Sequence, residues 1–171
     1  MLLLRPGCPK SIAGGPGRRI IAPTKICVTD MESNTLLKSG LTGHAELLVG
    51  NEQTAPHVGS GVVPVLATPV LVNLLEAAAL DAAERFIPAG QQTVGIRLDI
   101  RHFAATPIGM KVRAQAEVIN VDGRMIAFRV WAEDEVELIA DGSHERVIIT
   151  LEKFDARMRA KSERGQPSVK Q

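Results

Sequence analysis

Thr68-Pro69-Val70-Leu71-Val72-Asn73-Leu74-Leu75-Glu76-Ala77-Ala78-Ala79-Leu80-Asp81-Ala82-Ala83-Glu84-Arg85-Phe86 is the stretch that decides the fold. Thr68 is a good N-cap and Pro69 is preorganised for the first helical position. Val70 to Phe86 then holds only good or tolerable helix formers, until Pro88-Ala89-Gly90 stops the run. No other segment predicts a long helix. Its first three turns are apolar nearly all round, with Asp81, Glu84 and Arg85 confined to the end, and a helix apolar on every side is one enclosed by other structure.

The enclosing structure is legible on both flanks. His44-Ala45-Glu46-Leu47-Leu48-Val49, within Gly43 to Val49 and closed by Gly50-Asn51, reads as a first strand and turn; His57 to Val65 reads as a loop or short extended lead-in. Four further segments carry strand character: Gln91 to His102, Lys111 to Val121, Met125 to Asp134 and Asp141 to Glu152. Asp122-Gly123 is a hairpin dipeptide suited to a type I' turn, and such short connections imply antiparallel neighbours. The expected class is α+β, a curved antiparallel sheet of five or more strands wrapped around one long central helix. This order argues against alternating parallel βα units, and Gly-rich phosphate-binding fingerprints are absent.

The chain has 171 residues, 45% of them apolar, and a formal net charge of +1, which suits one well-buried core. Scattered Lys and Arg give no footprint for nucleic acid. Residues 1–30 are expected to form a disordered extension rich in Gly, Pro and Arg, 31–155 the folded domain and 156–171 a charged tail, with Lys153 to Gln171 reading as a helical extension followed by a loose end. Met31 is the expected start of the natural product. Met1-Leu2-Leu3-Leu4 stops at Arg5-Pro6-Gly7, short of the roughly 7 to 15 apolar residues of a secretion signal. No stretch approaches the roughly 18 apolar residues of a membrane span. Cys8 and Cys27 suggest neither a disulfide framework nor a thiolate metal site. A soluble, cytoplasmic protein is expected, with no membrane partner.

Three polar residues stand out against apolar surroundings. Thr68 opens the helix, where unpaired N–H groups and partial positive charge favour a developing oxyanion. Glu76 has no Lys or Arg in reach along the helix, and a buried carboxylate needs a partner from elsewhere; His102 is the natural candidate. His102 ends the row Val94, Ile96, Leu98, Ile100, with Thr93, Gly95, Arg97, Asp99 and Arg101 on the opposite face. Gly95 interrupts a strand of Val, Ile and Leu, which often marks a bulge or a close approach. His144 reads as structural and His44 and His57 as weaker candidates still. With no His-x-x-x-His or paired cysteines, no metal is expected.

These residues and their order resemble the hotdog-fold acyl-CoA thioesterases, and among them the fluoroacetyl-CoA thioesterase-like group. The likeness runs from Val65 to Phe154. It rests on Ala67-Thr68, Leu75-Glu76, Val94-Gly95, His102, Ala104-Ala105-Thr106-Pro107 with Gly109, Gly142-Ser143-His144-Glu145-Arg146 and Leu151-Glu152-Lys153-Phe154. The resemblance implies that Thr68, Glu76 and His102 are a catalytic set and that Gly95 positions substrate. It also implies a homodimer, with sites at the subunit interface and the CoA arm along the surface. Enzymes of the group specific for fluoroacetyl-CoA carry a pair of phenylalanines as a lid just upstream of the threonine. Residues 57–65 here contain no Phe, Tyr or Trp. An ordinary acyl-CoA in a wider pocket is therefore expected.

The implied reaction is hydrolysis of an acyl-CoA thioester, with His102 and Glu76 activating either the Thr68 hydroxyl or a water held by it. CoA is part of the substrate, and neither a metal nor a redox cofactor is required. Two other readings share the fold: an enoyl-CoA hydratase or dehydratase, and a binding module that senses acyl-CoA without turning it over. The acyl group and the choice between dimer and tetramer are not fixed by the sequence.

Overall fold

A computed structural model describes residues 36–165. The expected extension over 1–30 lies outside them. Five antiparallel strands, β1 (Thr42–Leu48), β2 (Gln91–His102), β3 (Lys111–Asp122), β4 (Met125–Asp134) and β5 (Leu138–Thr150), form one sheet in the order β1-β3-β4-β5-β2. Three helices accompany it: the short α1 (Ala55–Val58), the long α2 (Thr68–Ala83) and α3 (Leu151–Gly165). The β3–β4 hairpin turns at the expected Asp122-Gly123, where Gly123 has φ +56°.

The helix α2 lies on the concave face of the sheet. Leu71, Leu75, Ala78, Ala79, Ala82 and Ala83 are fully buried against Val112, Ala114, Ala116, Val118, Ile126, Phe128, Val130 and Ala132. Alternate residues of β3 and β4 are buried, so each strand turns every second side chain toward the helix. Alanines on both surfaces bring helix and sheet close together. Enclosure is one-sided, however: Val70, Val72, Leu74 and Leu80 remain only partly buried, because a five-stranded sheet covers one flank of the helix and leaves the other open.

Boundaries differ from expectation in two places. β5 stops at Thr150, two residues before the expected strand end at Glu152, and α3 begins at Leu151. Thr68 is the first residue of α2 and Ala67 its N-cap, with no side-chain capping bond. With Pro69 lacking an N–H, one of the donors such a cap would serve is missing. None of the described helices is long and apolar enough to cross a membrane.

The connection after β2 is pinned by one carboxylate. Asp134 accepts from the Thr106 hydroxyl at 2.9 Å and from the backbone N–H groups of Val136 and Glu137 at 2.9 and 3.0 Å. Burial alone would push its pKa up, but those backbone and hydroxyl donors together hold it below the usual 3.8. The stabilisation is therefore present above the unfolded carboxylate value and lost as pH falls through the lower folded value. Asp134→Ala is expected to cost about 1 to 2 kcal/mol at neutral pH. Thermal melts should show that difference shrinking on acidification, and a difference independent of pH would refute the assignment.

Candidate active site

β2 reaches the helix at two points, and a bulge decides which side chains do so. The register against β5 shifts between Gly95 and Arg97. The extra residue reverses the alternation there. Before the bulge, Thr93 and Gly95 face the helix; beyond it, His102 does. Ile96 is 52% exposed. The expected single row from Val94 through Ile96 to His102 is thus broken, and Gly95 and His102, placed on opposite faces by a strict period of two, share the helix side.

The first cluster sits at the start of α2. Thr68 Oγ1 lies 2.9 Å from His102 Nδ1. With the ring proton on Nε2, the hydroxyl donates to Nδ1, the arrangement a general base requires. Burial pushes the His102 pKa below 6.5, an effect the backbone at Ala104 offsets only in part, so the ring is neutral at physiological pH. His102 Nε2 is buried and has no hydrogen-bond partner among the described residues. Beside the ring is a hollow of about 210 Å³ lined by Val65, His102, Phe103, Ala104 and Ala105. Val70 and Leu71 N–H both bond Ala67 O at 3.0 Å, and Pro69 has no N–H, which leaves Thr68 N–H as the donor at the helix start.

The second cluster surrounds Glu76, and the expected Glu76–His102 pair is not formed within the chain. Thr68 and Glu76 are eight residues apart, or about 12 Å along a helix axis. Glu76 Oε1 instead lies 3.8 Å from His144 Nε2, with the carboxylate side chain 40% exposed. A Cβ on Gly95 would stand 2.6 Å from Glu76 Oε1 and 3.0 Å from His144 Cε1. Glycine at 95 therefore clears the space the carboxylate occupies.

His144, structural by its sequence position, and Arg146 complete this cluster. They are 1% and 5% exposed, at alternate positions of β5. His144 Nδ1 donates to Arg97 O at 2.8 Å, so Nε2 is an acceptor and receives Arg146 Nη1 at 3.2 Å. The remaining guanidinium donors go to Thr93 Oγ1 and Thr93 O, at 3.0 and 3.1 Å. Burial lowers the pKa of both side chains. Imidazole responds by staying neutral, whereas guanidinium remains charged. The positive charge facing Glu76 is thus Arg146, and His144 is its neutral spacer. Two buried polar residues at i and i+2 in a strand were the available signal.

His44 is elsewhere, its backbone N–H donating to Asp81 Oδ2 at 2.9 Å, and His57 lies in α1. Neither joins either cluster.

Comparison with known proteins identifies the family of this fold. Residues 49–152 match the family model described as fluoroacetyl-CoA-specific thioesterase. A fluoroacetyl-CoA thioesterase of Streptantibioticus cattleyicolor is 41% identical over 101 residues, covering 59% of this chain and 73% of the relative. A solved fluoroacetyl-CoA thioesterase superposes with a TM-score of 0.69 at 32% identity, covering 77% of this chain and 98% of its own. A thioesterase superfamily member from Thermus thermophilus gives the same score at 31% identity, over 74% and 93% of the two chains. The fold is the hotdog fold of these thioesterases.

Proposed function

We infer that this chain, which belongs to the fluoroacetyl-CoA-specific thioesterase family, hydrolyses an acyl-CoA thioester to free acid and CoA, with Thr68, Glu76 and His102 as its catalytic set. The observation that carries this reading is the Thr68–His102 bond at the start of α2, with His102 neutral and its second nitrogen free. His102 Nδ1 takes the proton of the attacking oxygen, which is either Thr68 Oγ1 or a water held by it. The carbonyl oxygen becomes an oxyanion facing Thr68 N–H and the positive end of α2. The C–S bond then breaks, and the sulfur takes the proton from His102 and leaves as CoA; on the Thr68 route, a water deprotonated by His102 then cleaves the acyl-Thr68 ester to release the acid.

The reading includes a homodimer. The buried Nε2–H of His102 needs an acceptor, and Glu76 of the same chain sits beside His144 instead. A two-fold axis is reciprocal, so a second copy that brings its Glu76 to His102 receives the same in return. Gly95 keeps room around that carboxylate for the thioester. The stretch 57–65 offers Val62 and Val63, both exposed, where members selective for fluoroacetyl-CoA carry aromatic residues. The proposed substrate is accordingly an ordinary acyl-CoA.

A thiol-release screen across acyl chain lengths tests this reading. Release is expected without any added cofactor. Saturable binding without release would instead indicate a sensor, and a change in enoyl absorbance a hydratase. In the same assay, the acid limb of kcat/KM is expected to have its midpoint below 6.5, because burial lowers the pKa of His102. An acid-limb midpoint at or above 6.5 would remove His102 from the role of base.

A further inference from the structure

The connection between β2 and β3 carries Ala104-Ala105-Thr106-Pro107, a block that the chemistry described above does not use. Thr106 is the fully buried residue of this connection. A hydroxyl taken out of water needs a partner, and this one donates to Asp134 Oδ2 at 2.9 Å. The other oxygen of that carboxylate is held by Val136 and Glu137 N–H, so the acceptor is anchored in the β4–β5 turn independently of Thr106.

The backbone of the same residue serves a different neighbour. Thr106 O accepts from Leu66 N–H at 2.9 Å, and Val65 and Pro107 form an antiparallel bridge beside it. Leu66 stands two residues before Thr68, and His102 four residues before Thr106. Thr68 opens a helix and His102 closes a strand that pairs with β5 alone, so no backbone ladder fixes one against the other. Thr106 is where the backbones flanking the two residues meet. Phe103 N–H, donating to Ile139 O at 3.0 Å, secures the same connection to the start of β5.

We propose that Thr106 is a positioning residue for the thioester chemistry: held by Asp134 through its hydroxyl and holding Leu66 through its carbonyl, it sets the distance between Thr68 and His102. The proposal rests on the thioesterase reading and adds what keeps the base and the hydroxyl in register. Threonine suits the position because its branched Cβ is stiff, so a hydroxyl fixed at Asp134 also fixes the backbone that carries the carbonyl. A misplacement of about 1 Å at a reacting group can cost about 10²-fold in rate. Binding contacts elsewhere on the substrate are untouched by it.

Thr106→Val keeps the shape of the side chain and removes the hydroxyl. In the thiol-release assay, run well below the melting temperature, this variant is expected to lower kcat roughly 10- to 100-fold with KM unchanged, and Thr106→Ser to restore it. Asp134→Ala cuts the same tie from the turn, outside the buried site, and is held to the same readouts. The double variant should do no worse than the slower single one, since both remove one interaction. Ile126→Val, a core change under α2 with no link to Thr106, should lower the melting temperature and leave kcat alone. Imidazole nitrogen NMR reads the Thr68–His102 bond without turnover. The His102 Nδ1 signal of Thr106→Val should move toward that of Thr68→Ala, where the hydroxyl is gone, and in Thr106→Ser should stay at the parent's position. A parent-like kcat or a parent-like Nδ1 signal in Thr106→Val would overturn the proposal even if the melting temperature fell, because Thr106 would then serve the fold alone. A parent that releases no thiol from any acyl-CoA, with the Nδ1 signal moved in Thr106→Val, would sink the thioesterase reading and leave Thr106 as the residue that sets this pair.

Discussion

Replacing His102 with alanine is expected to lower kcat/KM for the preferred acyl-CoA by about 10²- to 10⁴-fold, with little change in melting temperature. His102 closes β2 rather than filling the core, and its one side-chain bond is to the exposed Thr68. Loss of the ring therefore removes a base, not a packing element. Thr68 separates the two routes left open by the geometry. If Thr68 Oγ1 is the nucleophile, Thr68→Ala abolishes the covalent acyl intermediate and Thr68→Ser retains it. If Thr68 only holds water, Thr68→Ala keeps single-phase kinetics at reduced rate. Glu76→Gln keeps the shape of the carboxylate and loses its charge, and should approach the His102 variant in rate. Wild-type-like thiol release from the His102 and Glu76 variants would dismiss the catalytic set altogether.

The long helix was legible because its composition, its Thr-Pro start and its Pro-Ala-Gly stop all agree, and agreement across levels is what makes a local reading reliable. The Asp122-Gly123 hairpin was legible for the same reason. Gly95 signals a bulge or a close approach in β2, and both occur there. Nothing in Val94-Gly95-Ile96-Arg97 announces which residue is extra, however, and a single insertion inverts every side chain beyond it. That one residue decides whether Gly95 and His102 can face the same helix. The Thr68 cap was misassigned because Thr before Pro satisfies the cap rule, while the decisive partner, His102, lies 34 residues away in the chain. Glu76 and His102 do not meet within one chain for a related reason. Helical rise separates it from Thr68, and only the β2–β5 register brings His144 and Arg146 beside it.

Gly43→Val is expected to destabilise the fold by at least about 1 to 3 kcal/mol and to reduce turnover with it. Gly43 sits on β1 opposite Ala116, beneath the last turns of α2. A Cβ placed there would run into the backbone of Ala82 and would come within 2.5 Å of Ala78 O. Both alanines are fully buried. The obstruction is backbone rather than a flexible side-chain end, so relief requires the helix itself to lift. Gly95 differs, since the nearest atom a Cβ would meet there is the movable tip of Glu76, followed by the His144 ring at 3.0 Å, and neither is backbone. The absence of a side chain at 43 thus sets the height of α2 above the sheet, and with it the distance from Glu76 to Gly95 and from Thr68 to His102. Urea unfolding and thiol release should fall together in the Gly43 variant. An unchanged unfolding midpoint would show that the helix position does not depend on this contact.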